Sequence, residues 1–288
     1  MSLVRKAVIP AAGFGTRFLP ATKSQPKEML PIVDRPTIQF VVEEAIASGL
    51  HDILIITSSE KRSIEDHFDK NAELERRLAK DGKDAELAAL RRLSDLANIH
   101  YIRQKEPLGL GDALRYARQH VEDEPFALLL GDTIVQSHEP CTRQLMRVFD
   151  FQGRSIIGLE KVPHDKVDRY GIISGKLING RLYLLDDLIE KPTPAKAPSD
   201  LAIGGRYILT PRIFESIEKT TPGKNGEIQL TDAIRLMKNK EPVYGYHFEG
   251  VRHDIGNRLD YVCTFIEFAL AREDIGPAVR EHLKSLLK

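Results

Sequence analysis

Hydrophobic and polar positions divide this chain into two textures. Through the first half, short apolar runs alternate with longer stretches in which apolar residues recur at helical spacing. Ala7, Val8 and Ile9 form the first run, which small residues and glycines then stop. Residues 36–49 have helical periodicity and end at a glycine, and 52–58 hold ILIIT, the pattern of a buried strand. Residues 59–97 are rich in Glu, Lys, Arg, Ala and Leu and contain no proline, which predicts helices broken near Asp81 and Gly82. This stretch is longer than a simple crossover needs, so it reads as a helical insertion with a solvated charged face. Strands are expected at 99–103 and 126–130, with a helix from 112 to about 121 between them. Such alternation argues for a parallel sheet.

Beyond Arg154 the texture changes. SIIGLEKV, Tyr170-Gly171-Ile172 and GKLINGRLYLLDDLIEKP follow, and Asn179-Gly180 between alternating apolar runs signals a hairpin. AIGGRYIL reads as a further strand and PTPAKAP as a loop. A helix is expected at 227–237 after a turn at 222–226, and a strand at 243–248 leading into GVRHDIGN. From 259 onward the pattern is helical, interrupted at Gly276-Pro277. The fold class is therefore α/β: a Rossmann-like mixed, mainly parallel central sheet flanked by helices, with a smaller antiparallel lobe continuous with it. No repeat or flexible linker interrupts the pattern. One domain over 1–288 is expected, with its helical insertion at about 59–97 and C-terminal helices at about 257–288.

Composition narrows what such a chain can do. Hydrophobic residues are 42% of the 288, enough for a sizeable core. Lys+Arg and Asp+Glu balance at 42 each, which gives no electrostatic reason to expect nucleic acid or an anionic membrane as a partner. Cys141 and Cys263 supply neither a disulfide framework nor a zinc site, and both read as small core hydrophobes in a reducing compartment. No run approaches transmembrane length, and the N-terminal run is too short for a signal segment. A cytoplasmic location is expected.

The chemistry concentrates in VRKAVIPAAGFGTRFLPATKSQPKEMLP, from Val4 to Pro31. Gly13 and Gly15 let the backbone turn tightly and bring N–H groups close to a ligand. A strand feeding such a loop makes a nest of donors suited to phosphate. Arg17, Lys23 and Lys27 follow on a segment stiffened by Pro20, Pro26 and Pro31. A bare G-x-G is also an ordinary turn, but cations and prolines just downstream point to a polyphosphate. A dinucleotide-binding loop is excluded, because Phe18 stands where the third glycine belongs and the strand near 53–57 lacks a ribose-binding acid at its end. A Walker A loop is excluded by the absence of G-K-[ST].

AAGFGTRFLPATKSQPKEMLP closely resembles the signature of the sugar-1-phosphate nucleotidyltransferases, roughly G-x-G-T-R followed by P-K-E-M-L-P. Within that family it is most similar to the prokaryotic UTP–glucose-1-phosphate uridylyltransferases, or UDP-glucose pyrophosphorylases. The resemblance covers essentially the whole chain, the helical insertion least. It implies Mg²⁺-assisted in-line attack of glucose 1-phosphate on the α-phosphorus of UTP, giving UDP-glucose and pyrophosphate, in a dimer or tetramer. The attacking phosphate is already ionised at neutral pH, so catalysis would rest on charge neutralisation and positioning.

The resemblance also implies roles for particular residues. The phosphate nest would be Ala11, Ala12, Gly13, Gly15 and Thr16. Arg17 would meet the β- and γ-phosphates and Lys27 the α-phosphate. Asp132, after Gly131 at the end of the 126–130 strand, and Asp254 in DIGN would hold Mg²⁺ with phosphate oxygens and water. Gln104 would read the imide edge of a pyrimidine by donating and accepting at once. Gly109 would let the backbone approach the base, and Glu28 would lie near the nucleoside. Gly171, Glu190, Lys191 and Gly205 would form the sugar-phosphate pocket of the antiparallel, sugar-binding lobe. There Lys191 neutralises the phosphate and Glu190 accepts from sugar hydroxyls. GEIQLTDAI, residues 226–234, reads as mostly structural, with Thr231-Asp232 near that lobe.

The chain departs from the family pattern at two places. Many uridylyltransferases read K-G-L-G-H-A where this chain has Leu108-Gly109-Leu110-Gly111-Asp112-Ala113, and Thr133 replaces a second Asp that often follows the first. The GDA form leans toward the glucose-1-phosphate thymidylyltransferases, so dTTP is the alternative nucleotide. A non-catalytic, sugar-nucleotide-binding regulator would be favoured by loss of Arg17, Lys27, Asp132 or Lys191, and all four are present. Val262, Phe265, Ile266 and Leu270 form an apolar stripe at helical spacing, which serves either the chain's own core or an oligomer.

Overall fold

Alternate residues of the strand Lys6–Pro10 point to opposite faces of a sheet, and each face has its own core. Val8 enters one core with Leu54, Ile56 and Leu128 from neighbouring strands, under Phe214, Ile217 and Ile234 from helices. Ala7 and Ile9 enter the other with Ile53, Ile55 and Ala127, under Ile38, Val41, Leu145 and Phe149. The computed structural model describes residues 2–223 and 226–287. Among them, nine strands form one sheet in the order Asn98–Arg103, Asp52–Thr57, Lys6–Pro10, Phe126–Leu129, Leu201–Leu209, Ile156–Lys161, Tyr244–His247, Leu182–Glu190, Gly171–Asn179. The first four run parallel. Leu201–Leu209 then joins antiparallel to both its neighbours, and the hairpin around Asn179-Gly180 closes the far edge. The helices Thr37–Ala47 and Cys141–Gln152 cover one face, and Leu110–Arg115, Arg212–Lys219 and Leu230–Lys238 cover the other. This is the α/β class expected from the alternation of patterns.

Several boundaries fall elsewhere than the sequence pattern puts them, each for a local reason. The 227–237 segment becomes helical only at Leu230. Ile228 is held by donating to Leu108 O at 2.8 Å and accepting from Gly111 N–H at 2.8 Å, so tertiary pairing overrides helix propensity. Residues 224–225 of the turn expected at 222–226 lie outside the described residues. The 112–121 segment divides into Leu110–Arg115 and Arg118–Val121. The interruption expected at Gly276-Pro277 falls just before it, at 271–275, and Gly276-Pro277 opens the last helix, Gly276–Leu286. Proline fits there because its missing N–H falls where no intrahelical bond is needed. The insertion region holds the helices Arg62–Phe68, Ala72–Lys80 and Asp84–Ser94. Cys141 is buried as expected, but Cys263 is exposed, because it shares the outer face of the helix Arg258–Leu270 with Leu259 and Val262. No helix among the described residues is long and apolar enough to cross a membrane.

One short pairing had no clear sequence signal. Thr133–Gln136 forms an antiparallel ribbon with Val251–Asp254, in which Asp254 pairs with Thr133.

Candidate active site

A cavity of about 490 Å³ opens along the carboxyl ends of the strands Lys6–Pro10 and Phe126–Leu129, the usual ligand edge of such a sheet. Its first wall is the glycine loop. Ala11 donates its N–H to Ile56 O at 2.7 Å, so it extends the sheet ladder and lies behind the cavity. Residues 12–18 line the space. Gly15 stands at φ 66°, a conformation that favours glycine, and a Cβ there would crowd Lys27 Cβ at 3.2 Å and Thr22 Cγ2 at 3.3 Å. Its carbonyl accepts from Phe18 N–H at 3.0 Å and from Thr22 Oγ1 at 2.8 Å.

The C-terminal helix Arg258–Leu270 secures this loop. Arg258 donates to Arg17 O at 2.9 Å and to Leu19 O at 3.1 Å. Phe18 packs edge-on against Tyr261, whose hydroxyl donates to Pro31 O at 2.8 Å. Arg17 itself reaches the cavity rim and donates to Gly256 O at 3.2 Å. Residues on one distant helix thus hold this segment at 17–19 and at Pro31.

Lys27 and Asp132 face each other across the cavity floor as an ion pair. Burial pushes the Asp132 carboxyl up, but the Lys27 ammonium outweighs it and holds the group below the usual carboxylate range. Burial likewise disfavours the Lys27 ammonium, and the negative charges of Asp132 and Glu28 overcome that and raise its pKa. Glu28 is buried and pairs with Lys61 Nζ at 2.7 Å. Gly131, expected in the nucleotide site, is not on the cavity surface. It packs against Pro10 O, which a Cβ would approach to 3.0 Å. The loop 130–133 is fixed from below by Arg206, which is 1% exposed. Arg206 donates to Thr133 O at 2.7 Å and Leu130 O at 3.4 Å, and pairs with Glu44 at 2.8 Å.

The ribbon places Asp254 on the same cavity as Asp132, and Ile255 donates its N–H to Asp132 O at 3.0 Å. Asp254 accepts from Tyr170 OH at 3.1 Å and Gly256 N–H at 2.8 Å. Arg252 stacks on the Tyr170 ring at 4.4 Å and pairs with Glu160. Among the described residues no group of three or more His, Cys, Asp and Glu side chains is placed to hold a metal. Two carboxylates on one cavity fit a hard cation whose remaining ligands come from phosphate and water. Asp132 already takes a cation, the Lys27 ammonium, at that point.

Gln104 is buried in the cavity wall and its amide nitrogen donates to Asp112 Oδ2 at 2.8 Å. Gly109 stands at φ 106°, and a Cβ there would lie 2.8 Å from Ile228 O, so only glycine permits the approach of the two backbones. Glu190 accepts from Thr231 Oγ1 at 2.6 Å and pairs with Lys191 Nζ at 3.0 Å. Gly171 is the register partner of Glu190, and it and Gly205 line the same cavity. The structure therefore brings together Ala12, Gly13, Gly15, Thr16, Arg17, Lys27, Glu28, Gln104, Gly109, Asp132, Gly171, Glu190, Lys191, Gly205 and Asp254, and leaves Ala11 and Gly131 one layer behind. The sequence reading places Thr231 near this lobe as a mostly structural residue and gives no site role to Tyr170, Arg252 or Lys61, and nothing local marks Lys61.

Comparison with known proteins shows the family. The family model described as nucleotidyl transferase matches residues 6–268. A UTP–glucose-1-phosphate uridylyltransferase of Bacillus subtilis is 51% identical over 287 residues, covering 100% of this chain and 98% of the relative. A crystal structure of UDP-glucose pyrophosphorylase complexed with UDP-glucose superposes with a TM-score of 0.87 at 40% identity, covering 93% of this chain and 100% of that one. A UTP-bound UGPase from Acinetobacter baumannii superposes with a TM-score of 0.90 at 35% identity, covering 98% and 99%.

Proposed function

The chain belongs to the nucleotidyl transferase family, and from that premise we propose that it joins UTP to glucose 1-phosphate, forming UDP-glucose and releasing pyrophosphate. The observation that carries this reading is the one cavity on which the glycine loop, the Lys27–Asp132 pair, Asp254 and the Glu190–Lys191 pair all open. The names of the full-length relatives favour UTP over dTTP.

In this reading the triphosphate lies along residues 12–17, where backbone N–H groups and Arg17 hold the β- and γ-phosphates. An oxygen of the sugar phosphate attacks the α-phosphorus opposite the pyrophosphate oxygen, and the new P–O bond forms as the old one breaks. Lys27 exchanges Asp132 for the α-phosphate. Lys191 holds the attacking phosphate in line, and Glu190, oriented by Thr231, accepts from sugar hydroxyls. Mg²⁺ held by Asp132 and Asp254 would supply positive charge to the phosphate oxygens. No residue is asked to remove a proton.

The whole chain acts as one domain in this reading, supported by the unbroken sheet that joins the parallel half to the antiparallel lobe. A cytoplasmic location is supported by the free cysteines and by the nucleotide substrates. A homo-oligomer, dimer or tetramer, built on the helix Arg258–Leu270, is supported by Leu259 and Val262, which are 71% and 51% exposed. Phe265, Ile266 and Leu270 of the same stripe are half-buried within the chain. Light scattering at micromolar concentration checks the assembly.

The activity is tested by pyrophosphate release with UTP, dTTP and other triphosphates against a panel of sugar 1-phosphates. UTP with glucose 1-phosphate is expected to give the highest kcat/KM. Faster turnover with dTTP would make the protein a thymidylyltransferase, and UDP-glucose binding without turnover would make it a regulator.

A further inference from the structure

Gln104 and Asp112 are each only 6% exposed, and they meet through a hydrogen bond of 2.8 Å. An ionised carboxylate has acceptors and no donor, so the end of the Gln104 amide that faces Asp112 must be its NH₂. The same nitrogen lies 3.5 Å from Gly109 O. Both N–H bonds of Gln104 are thus directed at the protein, while Oε1 accepts from none of the described residues. Arg115 steadies the carboxylate from its other side, with Nη1 3.5 Å from Asp112 Oδ1.

We propose that Asp112 determines base choice by locking Gln104 with its carbonyl oxygen toward the base. The site then demands a ring N–H at that point. Uracil and thymine present N3–H there, whereas cytosine presents a lone pair, which would face the Gln104 oxygen with no proton between them. In this proposal Gln104 only accepts at the base, where the sequence reading has it both donate and accept: its donors are engaged by Asp112 and Gly109, and base carbonyls must find donors elsewhere. This inference deepens the proposed function and rests on its placing of the base against Gln104. Asp112 touches no substrate in this account and acts through Gln104.

The test is kcat/KM for UTP and for CTP, with glucose 1-phosphate, measured on the full chain by pyrophosphate release. The variants are Asp112→Leu, Gln104→Ala and their combination. Freed to rotate, the Gln104 amide would offer cytosine a donor, so the UTP:CTP ratio in Asp112→Leu is expected to fall at least tenfold. It should fall no further when Gln104 is already alanine. Should Asp112→Leu lose its native circular dichroism, Asp112→Ser, too short to hold the amide and compatible with a first helical turn, carries the same expectation. A folded Asp112 variant that keeps the wild-type ratio, while Gln104→Ala collapses it, overturns the proposal and leaves the base pocket standing. An equal fall from Asp112→Leu in the Gln104→Ala background also overturns it, since Asp112 would then act independently of Gln104. A ratio that Gln104→Ala itself leaves unchanged removes the base pocket, and the proposal with it.

Discussion

Lys61 Nζ lies 2.7 Å from Glu28 Oε2, with 6% and 2% of the two side chains exposed. The pair ties the segment just before the helix Arg62–Phe68 to the segment that carries Lys27. Burial pulls the Lys61 pKa below its usual value, although Glu28 opposes the shift. Removing one member of such a pair leaves an uncompensated buried charge, which costs about 3–5 kcal/mol. Lys61→Met is therefore expected to lower the denaturant midpoint strongly at an unchanged slope. Adding Glu28→Gln should restore most of that loss. A single Lys61→Met variant as stable as the parent would show that the pair contributes nothing.

The carboxylates on the cavity lead to a second expectation. Asp132→Asn and Asp254→Asn should each lower kcat by roughly 10²-fold or more and raise the Mg²⁺ concentration needed for half-maximal rate. Both variants should fold, because the backbone bond from Ile255 N–H to Asp132 O is independent of either side chain. Pyrophosphate release across a Mg²⁺ titration is the measurement. A folded Asp132→Asn enzyme with near-normal rate at low Mg²⁺ would end the metal assignment.

How much of this site could be read beforehand depends on how local its determinants are. The glycine loop was legible because its chemistry is written in consecutive residues: glycines, then cations, then prolines. Glu190 and Lys191 were legible for the same reason, as the end of a strand. The approach of Asp132 to Asp254 was legible only through the family resemblance, because spacing carries no information about it. It depends on the ribbon between Thr133–Gln136 and Val251–Asp254, whose strands are too short to leave a periodic mark. Lys61, Arg206 and Arg258 act on segments far away in sequence, so nothing beside them marks their roles. The late start of the helix at Leu230 shows the same limit in secondary structure, where pairing of Ile228 with Leu108 and Gly111 overrode a helical pattern.

Asp260 offers a pH test. Its carboxylate accepts from Arg169 at 2.7 Å, and Arg169 lines the cavity beside Tyr170. Burial pushes the Asp260 carboxyl up, but hydrogen bonds from Asn257 and Arg169 outweigh it and the folded pKa lies below the ordinary 3.8. A carboxyl depressed on folding stabilises the native state above its unfolded pKa, and that contribution is lost as pH falls through the folded value. Asp260→Asn should therefore cost about 1 kcal/mol or less at neutral pH, since the pair is partly solvated. The difference from the parent should shrink as pH drops below the ordinary aspartate range. Thermal unfolding from neutral to strongly acidic pH checks this, and a gap that widens toward acid would refute it.

The last expectation concerns Lys191. It follows the strand Leu182–Glu190 at φ 46°, a left-handed conformation that a non-glycine residue rarely adopts. Its N–H donates to Tyr170 O at 2.9 Å, which fixes the turn, and its ammonium rests 3.0 Å from Glu190 Oε1. The lysine is therefore held on the cavity wall by its backbone, with its charge balanced by a neighbour until a ligand arrives. A sugar phosphate carries close to two negative charges near neutral pH, and bringing it toward a triphosphate costs repulsion. In the proposed reading Arg17 and Lys27 serve the nucleotide, and Arg169 and Arg252, which also line the cavity, are paired with Asp260 and Glu160, so the compensating charge for the sugar phosphate is assigned to Lys191. Lys191→Met keeps most of the side-chain volume and the same backbone strain while deleting the charge. It should raise the KM for glucose 1-phosphate by ~10-fold or more and lower kcat, because a misplaced nucleophile reacts slowly. The KM for UTP should change by less than about twofold, as expected when a contact to the other substrate is removed. Steady-state kinetics with each substrate varied in turn makes the separation. A Lys191→Met enzyme whose UTP affinity falls tenfold at an unchanged glucose 1-phosphate KM would place Lys191 in the nucleotide half, and the division of the cavity between Gln104 and Glu190 would have to be redrawn.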